Sequence, residues 1–167
     1  MAGRSFLKTA VNLYFNRAVL DRDVAMLRDA RYHVVHADAS GWSGTVDMHR
    51  YLSKMFAFPA HYGQNWAALN DCLSDVFDRD DPADIRPARA AGVVMVLTGF
   101  DRFAARFPDD AHTLLDIYAL RQRAALIGGH HLICLVQSDD PHLRLAPVGA
   151  TPPEWNRDEW LDRNRGL

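Results

Sequence analysis

Ala57-Phe58-Pro59-Ala60-His61-Tyr62-Gly63-Gln64-Asn65-Trp66-Ala67-Ala68-Leu69-Asn70-Asp71-Cys72-Leu73-Ser74-Asp75-Val76-Phe77 is the stretch around which the chain can be read. It holds a helix end, a tight aromatic turn and the start of a new helix. Pro59 cannot donate a backbone hydrogen bond and disfavours helix at Phe58, so the preceding helical pattern stops there. Gly63 permits a positive φ in the turn, and Asn65 is a good N-cap for the new helix. At roughly 100° per residue, Trp66, Leu69, Leu73, Val76 and Phe77 share one arc of the wheel, and Asp71, Asp75 and Asp78 share the opposite arc. The apolar arc must face a core; the acidic arc must face water or a partner.

Asp71 and Asp75 stand four residues apart, and as like charges they weaken the helix by roughly 0.2–0.5 kcal/mol. Between Asp71 and Asp84, six aspartates meet a single arginine, Arg79, for a net −5 in a chain that totals −2. The acid is concentrated rather than spread. One reading is a solvated face; the other is an acidic surface made for a basic partner.

The pattern Phe-Pro-x-x-Tyr-Gly-x-Asn-x-x-x-Leu-x-Asp-Cys-Leu is filled here by Phe58, Pro59, Tyr62, Gly63, Asn65, Leu69, Asp71, Cys72 and Leu73. It resembles the barstar family, closely over residues 47–77 and at low stringency over 31–137. Barstars are small intracellular proteins that inhibit ribonucleases of the barnase type. The resemblance implies a three-stranded parallel sheet with helices packed on it. It also implies a function by charge mimicry, in which a helix carboxylate occupies a phosphate site and accepts hydrogen bonds from arginine. By resemblance Asp71 is that plug. His61 takes the first position of the family's aromatic pair and Tyr62 the second, and Gly63, Asn65, Trp66, Asn70 and Ser74 line the same side. Trp66 reads equally as a core residue, and Tyr62 as a core residue with a bonded hydroxyl.

Three positions depart from the family pattern. Ala67 stands where barstars carry a second acid, Asn70 replaces an aromatic, and Ala124 stands roughly where a later helix carries an acid. Asp75 and Asp78 are placed to compensate. The implied partner is a basic ribonuclease or ribonuclease toxin, whose fold the resemblance leaves open.

Outward from this stretch, the 167 residues, 49% hydrophobic and 24% charged, suit one domain with appendages. A pI near 6.4 argues against nucleic acid as the direct ligand. No stretch is apolar enough to span a membrane, and Lys8 and Asn12 interrupt the N-terminal apolar residues, so no signal peptide is read. Two cysteines, Cys72 and Cys134, suit a reducing compartment. A cytoplasmic location is the expectation.

A strand is expected over Val11 to Phe15, then a helix from near Asp21 holding Val24 and Leu27. Tyr32 to Val35 is the next strand, and a helix from near Thr45, capped by Ser43 or Thr45, turns Met48, Leu52, Met55 and Phe56 inward. The run Val93 to Leu97 suits a strand covered on both faces. Phe100, Phe103 and Phe107 form a short helix that Pro108 ends. Residues 111–127 form a further helix with Leu114, Leu115, Tyr118 and Leu126 inward, stopped by Gly128-Gly129. Leu132 to Val136 is the last strand. Near the end, Asn156 with Glu159 resembles a capping pair, beside Trp155 and Trp160 docking on the body.

This alternation predicts an α/β fold: a small two- or three-layer parallel sheet of three core strands, with an N-terminal strand at its edge. The divisions are a βα extension over 1–30, a barstar-like domain over 31–137, and a C-terminal loop and short helix over 138–167.

No phosphate-binding glycine motif occurs, and Gly41-Trp42-Ser43-Gly44 is one residue short of a nucleophile elbow. His33 and His36 point to opposite faces of a strand, His130 and His131 are adjacent, and two cysteines are too few for structural zinc. No catalytic residue, metal or cofactor is therefore expected. Two other readings remain: an acidic binding module for a non-nuclease basic protein, and a small α/β hydrolase with its pocket at the carboxyl ends of the strands.

Overall fold

The computed structural model describes residues 2–77 and 90–167. The acids from Asp78 to Asp84 lie outside the described residues. In chain order the elements are β1 (Asn12–Tyr14), α1 (Arg17–Asp29), β2 (Tyr32–Asp38), α2 (Thr45–Met55), α3 (Trp66–Ser74), β3 (Gly92–Thr98), α4 (Phe100–Arg106), α5 (Pro108–Ile127), β4 (Leu132–Gln137) and β5 (Glu154–Trp155). The strands form one parallel sheet in the order β2-β3-β4-β1-β5.

The sheet is covered on both sides, which is why β3 and β4 are buried at every position and read as unbroken apolar runs. Val93, Met95 and Leu97 point to the face carrying α2 to α5, where Met48, Leu52, Leu69, Leu73, Phe100, Phe103, Leu114 and Tyr118 close the larger core. Val94 and Val96 point to the other face, where Leu20, Val24 and Leu27 of α1 pack against them. The molecule is thus a three-layer α/β sandwich.

Several local expectations are corrected. β1 is not the edge strand, because β5 pairs with it in register Asn12↔Glu154. Glu154 N–H donates to Val11 O at 3.2 Å and Asn156 N–H to Leu13 O at 2.9 Å, pairing backbone groups that an edge strand would leave to water. α4 stops just before Pro108, as expected, and Pro108 also opens α5, since its missing N–H costs nothing at the first helical position. Leu126 is 39% exposed rather than inward. The helix at Thr45 has Gly44 as its N-cap with no side-chain cap bond, and Asp47 instead reaches back to the Ser43 N–H and hydroxyl.

At the C-terminus only one tryptophan docks. Trp155 lies under the Arg165 guanidinium, 4.5 Å from its ring centre, while Trp160 is 65% exposed. Asn156 does cap the short turn it precedes, through Asp158 N–H. Glu159, however, does more than pair with it: its buried carboxylate accepts from Phe15 N–H at 3.0 Å and Asn16 N–H at 2.6 Å, at the start of α1. The tail is thereby tied to the β1–α1 junction.

Candidate functional site

The turn before α3 is set by how α2 ends. Phe58 N–H donates to Ser53 O at 2.9 Å and Ala57 N–H to Lys54 O at 3.3 Å, a Schellman closure with Ala57 at φ 50°. The chain then folds back on its own aromatic rings. Phe56 stacks on Phe58 at 5.5 Å, and Phe58 meets Tyr62 at 4.9 Å. Tyr62 is 9% exposed, and its hydroxyl is hydrogen-bonded to His49 Nδ1 at 2.5 Å. His49 in turn lies 5.1 Å from the Trp66 ring. Burial pushes the Tyr62 phenol well up, with Cys72 adding to the effect. Burial pushes the His49 imidazole below its usual range, against the opposing pull of Asp110. His49 Nε2 has no hydrogen-bond partner among the described residues.

The positive φ in this turn belongs to Gln64, at 48°, not to Gly63. Gly63 is needed for a different reason: a Cβ there would lie 2.9 Å from Asn65 Nδ2. That amide donates to Gly63 O at 3.2 Å while Asn65 Oδ1 accepts from Ala68 N–H at 2.9 Å. Asn65 is the N-cap, as its position after the turn predicts.

From this cap α3 runs nine residues, ending at Ser74 rather than Phe77. Asp75 N–H donates to Asp71 O at 3.1 Å and closes the last turn. Leu69 and Leu73 are fully buried, Trp66 is half-buried, and Val76 packs inward from the turn beyond the helix. Asp71, Ser74 and Asp75 are exposed, and Asn70 is half-buried with Oδ1 unpartnered among the described residues. Asp71 forms no ion pair among the described residues. His61, Gly63 and Asn65 are exposed on the adjoining turn. The arrangement presents an exposed carboxylate in the middle of a helix whose opposite face is locked into the core.

Two residues beside this surface carry no local signal in the chain. His49 lies next to the apolar stripe of α2 and reads as an ordinary helix position, yet it holds Tyr62. Arg121 comes from α5, and its Nη1 donates to Ser74 Oγ at 3.3 Å across 47 residues of sequence. Phe77 stacks on His130 at 4.5 Å and makes a second link between the end of α3 and the end of α5.

A cleft of about 730 Å³ opens elsewhere, where α4, the first half of α5 and the loop after β4 meet. Leu115, Leu143, Leu145, Val148, His112 and Arg144 are among its walls, and among the described residues no serine, threonine or cysteine lines it. Among the described residues, no group of three His, Cys, Asp or Glu is placed to hold a metal ion, and no helix is long and apolar enough to cross a membrane.

A family model described as barstar (barnase inhibitor) matches residues 32–137, more than half of the chain. The matched span opens at the start of β2 and closes at the end of β4, leaving β1, α1 and β5 outside it. No curated protein matches the chain.

Proposed function

The chain belongs to the barstar family, and from that premise we propose that it inhibits a barnase-type ribonuclease by seating the exposed face of α3 in the enzyme's cationic site. The observation that carries the reading is Asp71: exposed, unpaired among the described residues, and fixed in direction by Leu69 and Leu73 on the buried side of the same helix. A ribonuclease must hold a phosphate, so its site presents basic groups to an anion. A carboxylate already held on a rigid helix accepts their hydrogen bonds in place of the phosphate, and arginine can offer it two at once. The cost of ordering the anion is met when α3 folds, not when the partner arrives.

The remaining residues divide by what they expose. His61, Gly63, Asn65, Ser74 and Asp75 offer polar contacts around Asp71, and half-buried Trp66 and Asn70 contribute edges. Tyr62 acts from beneath, holding the turn through His49. The mechanism has no chemical step in this chain, and the protein acts as an inhibitor rather than an enzyme. No cofactor enters. The reading places it in the cytoplasm, where a nuclease would otherwise meet the cell's own RNA.

Inhibition assays test this directly. Titrating the chain into a barnase-type ribonuclease should abolish RNA cleavage at one equivalent, and short RNA fragments should compete with binding. Tight binding that leaves cleavage intact would favour the other reading, an acidic module for a basic partner that is not engaged at a nuclease site.

A further inference from the structure

The two edges of the sheet end differently. At one, the two-residue β5 takes up backbone groups of β1. At the other, β2 is an edge seven residues long, in register with β3 from Tyr32 to Asp38 without a bulge. The alternation of a parallel ladder decides which of its groups are left over. Ala39 N–H donates to Thr98 O at 2.8 Å. In that register the odd positions of β2 face β3, and Tyr32, Val34, His36 and Asp38 turn their N–H and C=O groups outward. Among the described residues, none of these outward backbone groups has a hydrogen-bond partner.

Proteins ordinarily blunt such an edge with lysine, proline, a bulge or a covering segment. β2 carries no lysine, proline or bulge, and Val34-Val35 at its middle is β-branched. On its back face a groove of about 310 Å³ runs between β2 and α1, with Val34 and Val96 against Leu20 and Val24. Val34 is half-buried and His36 exposed, while Val96 on the next strand inward is buried. The groove therefore lies open on the side where a further strand would sit.

The ends of β2 differ in charge. Exposed Arg28 and Arg31 stand at its start, offset by Asp29 alone. Exposed Asp38 stands at its finish, where the nearest cation, Arg17, is drawn 3.6 Å from Asp139. Arg28, Arg31 and Asp38 form no ion pair among the described residues.

We propose that β2 is a self-association edge, on which a second copy of this chain pairs antiparallel about a two-fold axis at Val35. The two five-stranded sheets then become one. The outward groups match along the whole strand: Val34 with His36 of the second copy, and Tyr32 with Asp38 of the second copy. Asp38 of each copy arrives at the end of the other that carries Arg28 and Arg31. Parallel pairing would set like ends together and would not close, whereas the two-fold closes on itself. The inference stands apart from the role of α3.

Sedimentation or light scattering of the unaltered chain should show a monomer–dimer equilibrium, with amide exchange at Val34 and His36 slowing as concentration rises. His36→Pro removes an outward N–H, a change that an edge strand tolerates, and should leave the chain monomeric. Arg31→Glu should weaken the dimer about three- to tenfold, through like charges at both symmetric contacts. Val35→Cys should link two copies on mild oxidation, because a facing, non-hydrogen-bonded pair brings its Cα atoms to about 4.5 Å; the unaltered chain, with Cys72 and Cys134, is the control. A monomer at every concentration would overturn the inference, even if the edge accepts an extended segment of another protein. So would a dimer that Arg31→Glu leaves at full strength, or one whose Val35→Cys variant does not cross-link, since association would then use another surface. Melting curves verify folding, and if His36→Pro does not fold, the other two variants decide.

Discussion

Replacing Asp71 by alanine should separate binding from folding. In the free protein the carboxylate has no ion pair among the described residues and is exposed, so its removal should shift stability by no more than about 0.5 kcal/mol. The shift should even be slightly favourable, because the like-charge neighbour Asp75 sits four residues on and costs roughly 0.2–0.5 kcal/mol. In the complex the same group is expected to be desolvated among cations. Truncating one member of such a pair typically costs about 2–5 kcal/mol or more, mainly by leaving the partner's charges buried and unpaired. That is a loss in affinity from about thirtyfold to a few thousandfold, appearing as faster dissociation. Asp84→Ala removes the same charge from the acid-rich segment outside the described residues, and it should only slow association. That effect should fade as salt shortens the screening length to about 8 Å. The assay is stopped-flow or surface-based kinetics against a barnase-type ribonuclease at low and moderate salt. Equal, small, purely association-rate effects at both positions would contradict this mechanism: Asp71 would then be one charge in a diffuse acidic field, not a plug.

Three further outcomes are expected from the packing. Ala57→Gly should stabilise the protein by roughly 0.5–1 kcal/mol, since it relieves a left-handed alanine at φ 50° but adds unfolded-state freedom; urea unfolding showing no gain would mean that the turn is not strained. Glu159→Ala should cost roughly 2–4 kcal/mol by orphaning Phe15 N–H, Asn16 N–H and the Asn156 amide. Its melting point should fall by about 6–12 °C, and an unchanged melting point would show that the tail is not tied to α1. His49 has its folded pKa below its unfolded value, so the unfolded chain binds the proton more readily. Stability should therefore be full above about pH 6.5 and fall as pH drops through that value toward the folded pKa. His49→Gln should flatten that part of the profile, and an identical acid slope in this variant would assign the loss to other groups.

Much of the architecture comes from local pattern. The unbroken apolar runs at Val93 to Leu97 and Leu132 to Val136 require a strand covered on both faces, and they are the two strands buried at every position. Asn65 caps α3, and the wheel that turns Leu69 and Leu73 inward leaves Asp71 and Asp75 outside. These features depend on periodicity and on side chains within one turn of one another, so they are written in adjacent residues. The surroundings of Asp71 are not. Tyr62 is held by His49 from another helix, and Arg121 reaches Ser74 across 47 positions. β1 is flanked by a two-residue strand too short to have a period, and Glu159 meets Asn16 across 143 positions. Even the turn's left-handed residue is Gln64 rather than the glycine beside it, while what favours glycine at position 63 is the Asn65 side chain, whose Nδ2 would lie 2.9 Å from a Cβ there. Such contacts are chosen by how the layers dock, and docking sums weak interactions over the whole chain, so no window of sequence contains it. Local pattern was enough to set the two central strands and the direction of the acidic face, while the number of layers stayed open. Which side chains brace that face, and which cation stands beside it, was settled only when helices distant in the chain came to lie against one another.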